Sequence, residues 1–120
     1  MVTYADRLIL KMLDQGEYVV DIKHGEIYSA RKGVGNLRKL KGQIRRGYRR
    51  IDIRTPELRV SAAVHRIVWI AKTREMIPED LVIDHQNGDR LDNRIENLEL
   101  MTHMENLDKR RFRGDFDGEE

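Results

Sequence analysis

At 120 residues with no cysteine, the chain has room for one domain, or for a small catalytic unit with an accessory sheet, and excludes disulfides and four-cysteine zinc knuckles. No apolar run approaches the ~18 residues that span a bilayer, and the N-terminus lacks the basic-then-apolar layout of a secretory signal, so a cytoplasmic protein with no membrane partner is expected. The net charge of +2 conceals a segregation: residues 21–60 hold twelve Lys/Arg against four Asp/Glu, a net +8, and residues 61–120 hold nine against fourteen, a net −5.

Thr3 can cap a helix that runs to about Asp14, with Tyr4, Leu8, Met12 and Leu13 on its buried face and Gln15-Gly16 at its end. Tyr18-Val19-Val20-Asp21-Ile22 and Glu26-Ile27-Tyr28 read as a hairpin turning at His24-Gly25. The chain then becomes basic. Arg31, Lys32, Arg38, Lys39, Lys41, Arg45, Arg46, Arg49 and Arg50 are interleaved with glycines and Tyr48, as in loops and ribbons that follow a phosphate backbone. A merely solvated face is the alternative, but like charges at this density repel unless a polyanion neutralises them, so double-stranded DNA is the expected partner. Residues 48–54 alternate as a strand, and Thr55-Pro56-Glu57 turns it into Leu58-Arg59-Val60. A helix over residues 63–75 follows, with Val64, Ile67, Val68 and Ala71 on one face. On it, His65 reads as a structural, hydrogen-bonded histidine rather than a ligand, and Trp69 as core or rim.

The last third is the most informative. Leu81-Val82-Ile83 is a β-prone run that ends on Asp84-His85, and Asn87-Gly88-Asp89 is a strong turn signal. Asp92, Asn93 and Asn97 lie in a polar return segment, and Leu98 to Met101 supplies a second strand. Thr102 with Glu105 makes a capping box for a helix that carries Asn106 in its first turns. A strand, a return strand and a helix folded over them bring residues 84, 85, 97 and 106 together. Residues 114–120 read as a frayed, acidic tail.

The segment His65-Arg66-Ile67-Val68 and the stretch from Ile83 to Asn106, with its Asp84-His85, its Asn93 to Leu98 run and its Glu105-Asn106, resemble the HNH endonucleases of the ββα-metal or His-Me finger group. The likeness is greatest to the phage and intron-homing branch and covers residues 58–110. It implies His85 as general base, Asp84 and Asn106 as ligands of one divalent metal, and Asn97 as the residue that orients the histidine. Asn106 stands where the family name has its last histidine, which leaves His103 as an alternative ligand. The hairpin, basic loop and Gly-Tyr strand also resemble the sheets that place DNA in homing relatives.

The chemistry agrees with that assignment. Phosphodiester hydrolysis needs a base to activate water and a Lewis acid for the charge on the phosphate and the leaving 3′ oxygen. Histidine, with a reference pKa of about 6.5, is a competent base once a partner such as the Asn97 amide sets its tautomer. A carboxylate plus an amide oxygen is a hard donor set that favours Mg²⁺, with Mn²⁺ next, over zinc. The expectation is an α+β protein: a small antiparallel sheet plus a ββα-metal finger and flanking helices. Residues 1–60 would contact DNA, residues 61–112 would carry the nuclease motif, and residues 113–120 would be the tail. Its function would be metal-dependent nicking or cutting of double-stranded DNA by a monomer or homodimer, encoded by a phage or mobile element and working in the host cytoplasm. Two alternatives are a DNA-binding regulatory module that keeps the fold without catalysis, and an assembly protein whose charged surface binds another protein.

Overall fold

A computed structural model describes residues 4–56 and 59–113. The expected Thr3 cap, the Glu57-Leu58 part of the turn and the acidic tail from Gly114 lie outside them. Helix α1 (Tyr4–Asp14) ends where expected: Gly16 has φ 74° and the Gly16 and Glu17 N–H groups return to the Leu13 and Met12 carbonyls, which satisfies the last turn. Its buried face is Leu8, Ile9, Met12 and Leu13 together with Asp6. Tyr4, expected inside, is exposed, and Ile9 takes the place in the core. The reason is Asp6, fully buried because the Arg66 guanidinium grips both of its oxygens at 3.1 and 2.6 Å, which turns that side of the helix inward.

Strands β1 (Tyr18–Asp21) and β2 (Glu26–Ser29) form the expected hairpin, and a short β3 (Arg38–Lys39) extends it. A second sheet runs β4 (Gln43–Arg45), β5 (Tyr48–Arg54) and β6 (Arg59–Ala63), all antiparallel. The basic block is therefore divided between two sheets, where one small sheet was expected. Strands β3 and β4 carry no apolar alternation and exist because their backbones pair with β2 and β5. Strand β6 runs directly into α2 (Val64–Thr73), which closes at Arg74 in the left-handed conformation. Ile70 rather than Ala71 completes its buried face, with Val64, Ile67 and Val68. Trp69 is partly buried against the core, as expected of a rim residue.

The remainder is β7 (Leu81–His85), a long connection, β8 (Leu98–Thr102) and α3 (His103–Arg113). The two strands pair antiparallel from Leu81 opposite Thr102 to His85 opposite Leu98. The capping box forms as read: Glu105 N–H reaches Thr102 Oγ1 at 3.1 Å and Thr102 N–H reaches Glu105 Oε1 at 2.9 Å. One core joins α1, β1, β2, β5 and α2 to Ile77 and Leu98, so residues on both sides of position 60 share it. Fully buried Ile9, Ile53 and Ile70 contribute about 1.5–3 kcal/mol each by burial. This core holds the last strand pair against the sheets. The α+β architecture is the expected one, and among the described residues no helix is long and apolar enough to cross a membrane.

Candidate active site

Strand β7 delivers Asp84 and His85 to its buried end, where both are 5 % exposed. Burial of two such polar groups needs partners. His85 Nε2 lies 2.9 Å from Oδ1 of Asn93, itself 4 % exposed. An amide oxygen can only accept, so Nε2 carries the proton and the Nδ1 lone pair is the basic one. Asn93 was read only as a member of a polar return segment. Its place among three asparagines within a dozen residues gave no means of choosing it.

Asn97, expected to orient the histidine, does something else. Its Oδ1 accepts the Asn87 N–H at 3.0 Å, while its Nδ2 donates to Asn87 Oδ1 at 3.0 Å and to the Asp92 carbonyl at 2.9 Å. The reason is position: Asn97 closes a 3-10 turn at the end of the loop, opposite the Asn87-Gly88 turn, whereas Asn93 lies at the loop's inner bend. Asn97 thus fixes the loop that in turn fixes Asn93. The Asn87-Gly88 turn forms, with Gly88 at φ 80°, but it begins a long connection rather than a tight hairpin. Asp92 completes the loop by binding Arg94 at 2.8 Å through both oxygens; that guanidinium holds its carboxyl down at about 2.

The first hairpin braces this loop. Ile95 N–H donates to the Ile22 carbonyl at 2.9 Å, and Gly25, at φ 71°, lies so close to Asn93 that a Cβ there would be 2.4 Å from the Asn93 carbonyl carbon. Only glycine fits both the backbone angle and the approach. The second sheet reaches the site from the other side. The Tyr48 ring centroid is 6.0 Å from that of His85 and 5.3 Å from that of His65, and the two histidine rings meet edge to face at 5.1 Å. His65 is thus a ring neighbour of His85, a relationship that the hydrogen-bonding reading of it missed. Burial first, and then the nearby His85, Arg66 and Arg50, hold its pKa down to about 3, so it is neutral at pH 7. Arg90, from the loop, covers Tyr48 at 5.0 Å and reaches the Arg46 carbonyl at 3.4 Å.

Asp84 faces α3. The Lys109 ammonium donates to its Oδ2 at 2.8 Å. Asn106 is half-buried one turn before Lys109, so the helix face that carries both turns toward β7, whereas His103 at the helix start is exposed. Among the described residues no three His, Cys, Asp or Glu side chains cluster as a ready cage for a metal. The donor chemistry fits a hydrated cation instead: a buried carboxylate that already meets a cationic group, plus an amide on the facing helix, leaves most positions to water and phosphate oxygens, as Mg²⁺ or Mn²⁺ prefers.

The basic candidates fall into groups. Arg45 stands opposite Tyr48 on paired strands and Arg50 two residues on, so both share with Tyr48 the sheet face that leads to His85. Arg49 projects from the other face and donates to the Lys41 carbonyl at 2.7 Å, while Arg46 occupies the turn. Arg31 is engaged by Glu17 and the Arg54 carbonyl, and Lys39 by Glu26 at 2.8 Å. Lys32 is exposed apart from these. Arg38, Lys39, Lys41, Arg45 and Arg50 line a cleft of about 370 Å³ between the two sheets.

Comparison with known proteins shows what this arrangement is similar to. A family model described as HNH endonuclease matches residues 62–107. An uncharacterised HNH endonuclease of Acanthamoeba polyphaga mimivirus is 47 % identical over 45 residues, which are 37 % of this chain and 11 % of that protein. The solved structure titled as DNA binding and cleavage by the HNH homing endonuclease I-HmuI superposes with a TM-score of 0.71 at 32 % identity, covering 87 % of this chain and 57 % of that one. The chain thus spans a small part of the viral relative and just over half of the solved one.

Proposed function

We propose that this chain, whose residues 62–107 belong to the HNH endonuclease family, is a DNA endonuclease that hydrolyses phosphodiester bonds with one divalent cation. The observation that carries the reading is the buried pair at the end of β7: an oriented imidazole beside a carboxylate that faces a cation. With Nε2–H committed to Asn93, His85 presents Nδ1 as the base that takes a proton from the attacking water. Tyr48 and neutral His65 pack beside the ring and help to hold it in place. Asp84 and Asn106 would hold the cation, Mg²⁺ or Mn²⁺, which when bound supplies Lewis-acid stabilisation of charge on the phosphate and the leaving 3′ oxygen.

The substrate is double-stranded DNA. Residues 1–60 present it with the basic cleft, and residues 61–112 carry the chemistry. One base and one cation attack one phosphodiester, so a monomer nicks, and cutting both strands requires a homodimer or a second encounter. A phage or mobile-element source is in keeping with the viral relative. The test is nicking of supercoiled plasmid with and without Mg²⁺. His85→Ala should lower the rate by about 10²–10⁴-fold and retain DNA in a gel-shift. Undiminished cleavage by that variant would sink the assignment. DNA retention by the wild type without scission in any divalent metal would favour the non-catalytic binding module.

A further inference from the structure

Asp84 and Glu99 stand directly opposite each other on β7 and β8, so two carboxylates share one face of a two-stranded sheet. Such like-charged pairs repel. Lys109 resolves the conflict from α3: its ammonium is 2.8 Å from Asp84 and 3.6 Å from Glu99. Asp84 is almost wholly buried while Glu99 is half exposed, so the lysine bridges from the inner acid to the outer one. From this arrangement we propose that Lys109 is a resident cation that competes with the divalent metal for Asp84. The inference rests on the endonuclease reading for the identity of the metal and goes beyond it in assigning a role to Lys109.

A divalent ion on Asp84 would share the carboxylate with the ammonium that donates to its Oδ2 at 2.8 Å, and two cations brought so close in a partly buried setting repel. Lys109 therefore leaves Asp84 when the ion enters. Glu99 gives it an acid to move to without crossing the site. In the metal-free protein the lysine holds the Asp84 carboxylate in place, and it raises the metal concentration needed to fill the site. Removing the ammonium takes one positive charge away from two facing carboxylates, which strengthens the pull on a divalent ion.

Mn²⁺ binding, followed by electron paramagnetic resonance without DNA, tests this in the wild type, Lys109→Met and Asp84→Asn. Methionine keeps the aliphatic stem and loses the charge. Lys109→Met should bind Mn²⁺ about tenfold more tightly, the usual order of a coupling between two ligands, and Asp84→Asn should lose the site. If Asp84→Asn loses binding but Lys109→Met is no tighter than wild type, this proposal falls and the endonuclease reading stands. If Asp84→Asn binds like wild type, the metal is elsewhere and both fall. A second measurement needs no variant: reductive methylation of wild-type Lys109, read by peptide mass spectrometry, should speed up severalfold when saturating Mn²⁺ shifts the amine from buried Asp84 to half-exposed Glu99. Equal labelling with and without Mn²⁺ would overturn the competition.

Discussion

Asn93 and His85 are joined at 2.9 Å, amide oxygen to Nε2, in a buried contact between the middle of a loop and the end of a strand. The loop reaches that far because Asn97 ties its two ends together and the β1–β2 turn supports it from beneath. The tautomer of the histidine is thus set by a residue that depends on two others.

Asn93→Ala should slow DNA cleavage by about 10–10²-fold while metal and DNA affinity stay near wild type, because the base loses its orientation and not its neighbours. Asn93→Asp, which retains the acceptor, should recover part of the rate. Single-turnover cleavage with a parallel gel-shift reads both. A rate unchanged in Asn93→Ala would return the orienting role to another group.

Asn97→Ala has a different signature. It removes three hydrogen bonds from a buried loop and leaves the Asn87 N–H without its acceptor, at a cost of about 1–3 kcal/mol in stability. Gly25→Ala should cost a similar amount, since its Cβ would collide with the Asn93 backbone at a positive φ. Urea unfolding checks both. Wild-type stability in Gly25→Ala would mean that the hairpin does not bear on the loop as described.

The basic block should divide by partner. Arg38 and Arg45 line the cleft and meet no acid among the described residues, so changing both to glutamine should lower the salt dependence of DNA binding by up to about 1.8 in log–log slope. Arg31→Gln should leave that slope nearly unchanged and reduce stability instead, because its guanidinium is spent on Glu17 and the Arg54 carbonyl. Binding measured across a salt series separates the two. Equal slopes for the double variant and wild type would leave the cleft a solvated face.

Acid should loosen the loop through Asp92. Its carboxyl, held at about 2 by Arg94, lies below the ordinary 3.8, so the stabilisation is complete above 3.8 and is lost as pH falls from there through about 2. The size is about 1 kcal/mol, reduced because the Arg94 side chain is 43 % exposed and solvent screens the pair. In urea unfolding over this range, the gap between wild type and Asp92→Asn should close as pH approaches 2. A gap that persists at pH 2 would show that the Asp92 effect is not ionic.

Local chemistry sufficed for the elements that carry the site. The β-prone run ending on Asp84-His85, the Thr102–Glu105 capping box and the glycine at Gly16 each specify their structure through neighbours within a few residues, so strand, helix and helix end are legible in the chain itself. The segregated basic block is legible in the same way, because composition alone reveals it. Which asparagine meets the histidine is not, since Asn93 and Asn97 are chemically identical and only the path of the loop, braced by a hairpin some seventy residues away, separates them. Nor could spacing reveal that Tyr48 and His65 pack on His85, that Asp6 is buried for Arg66, or that Lys109 covers Asp84. Those are contacts between elements distant in sequence, decided by how the first two helices and the sheets pack on one shared core.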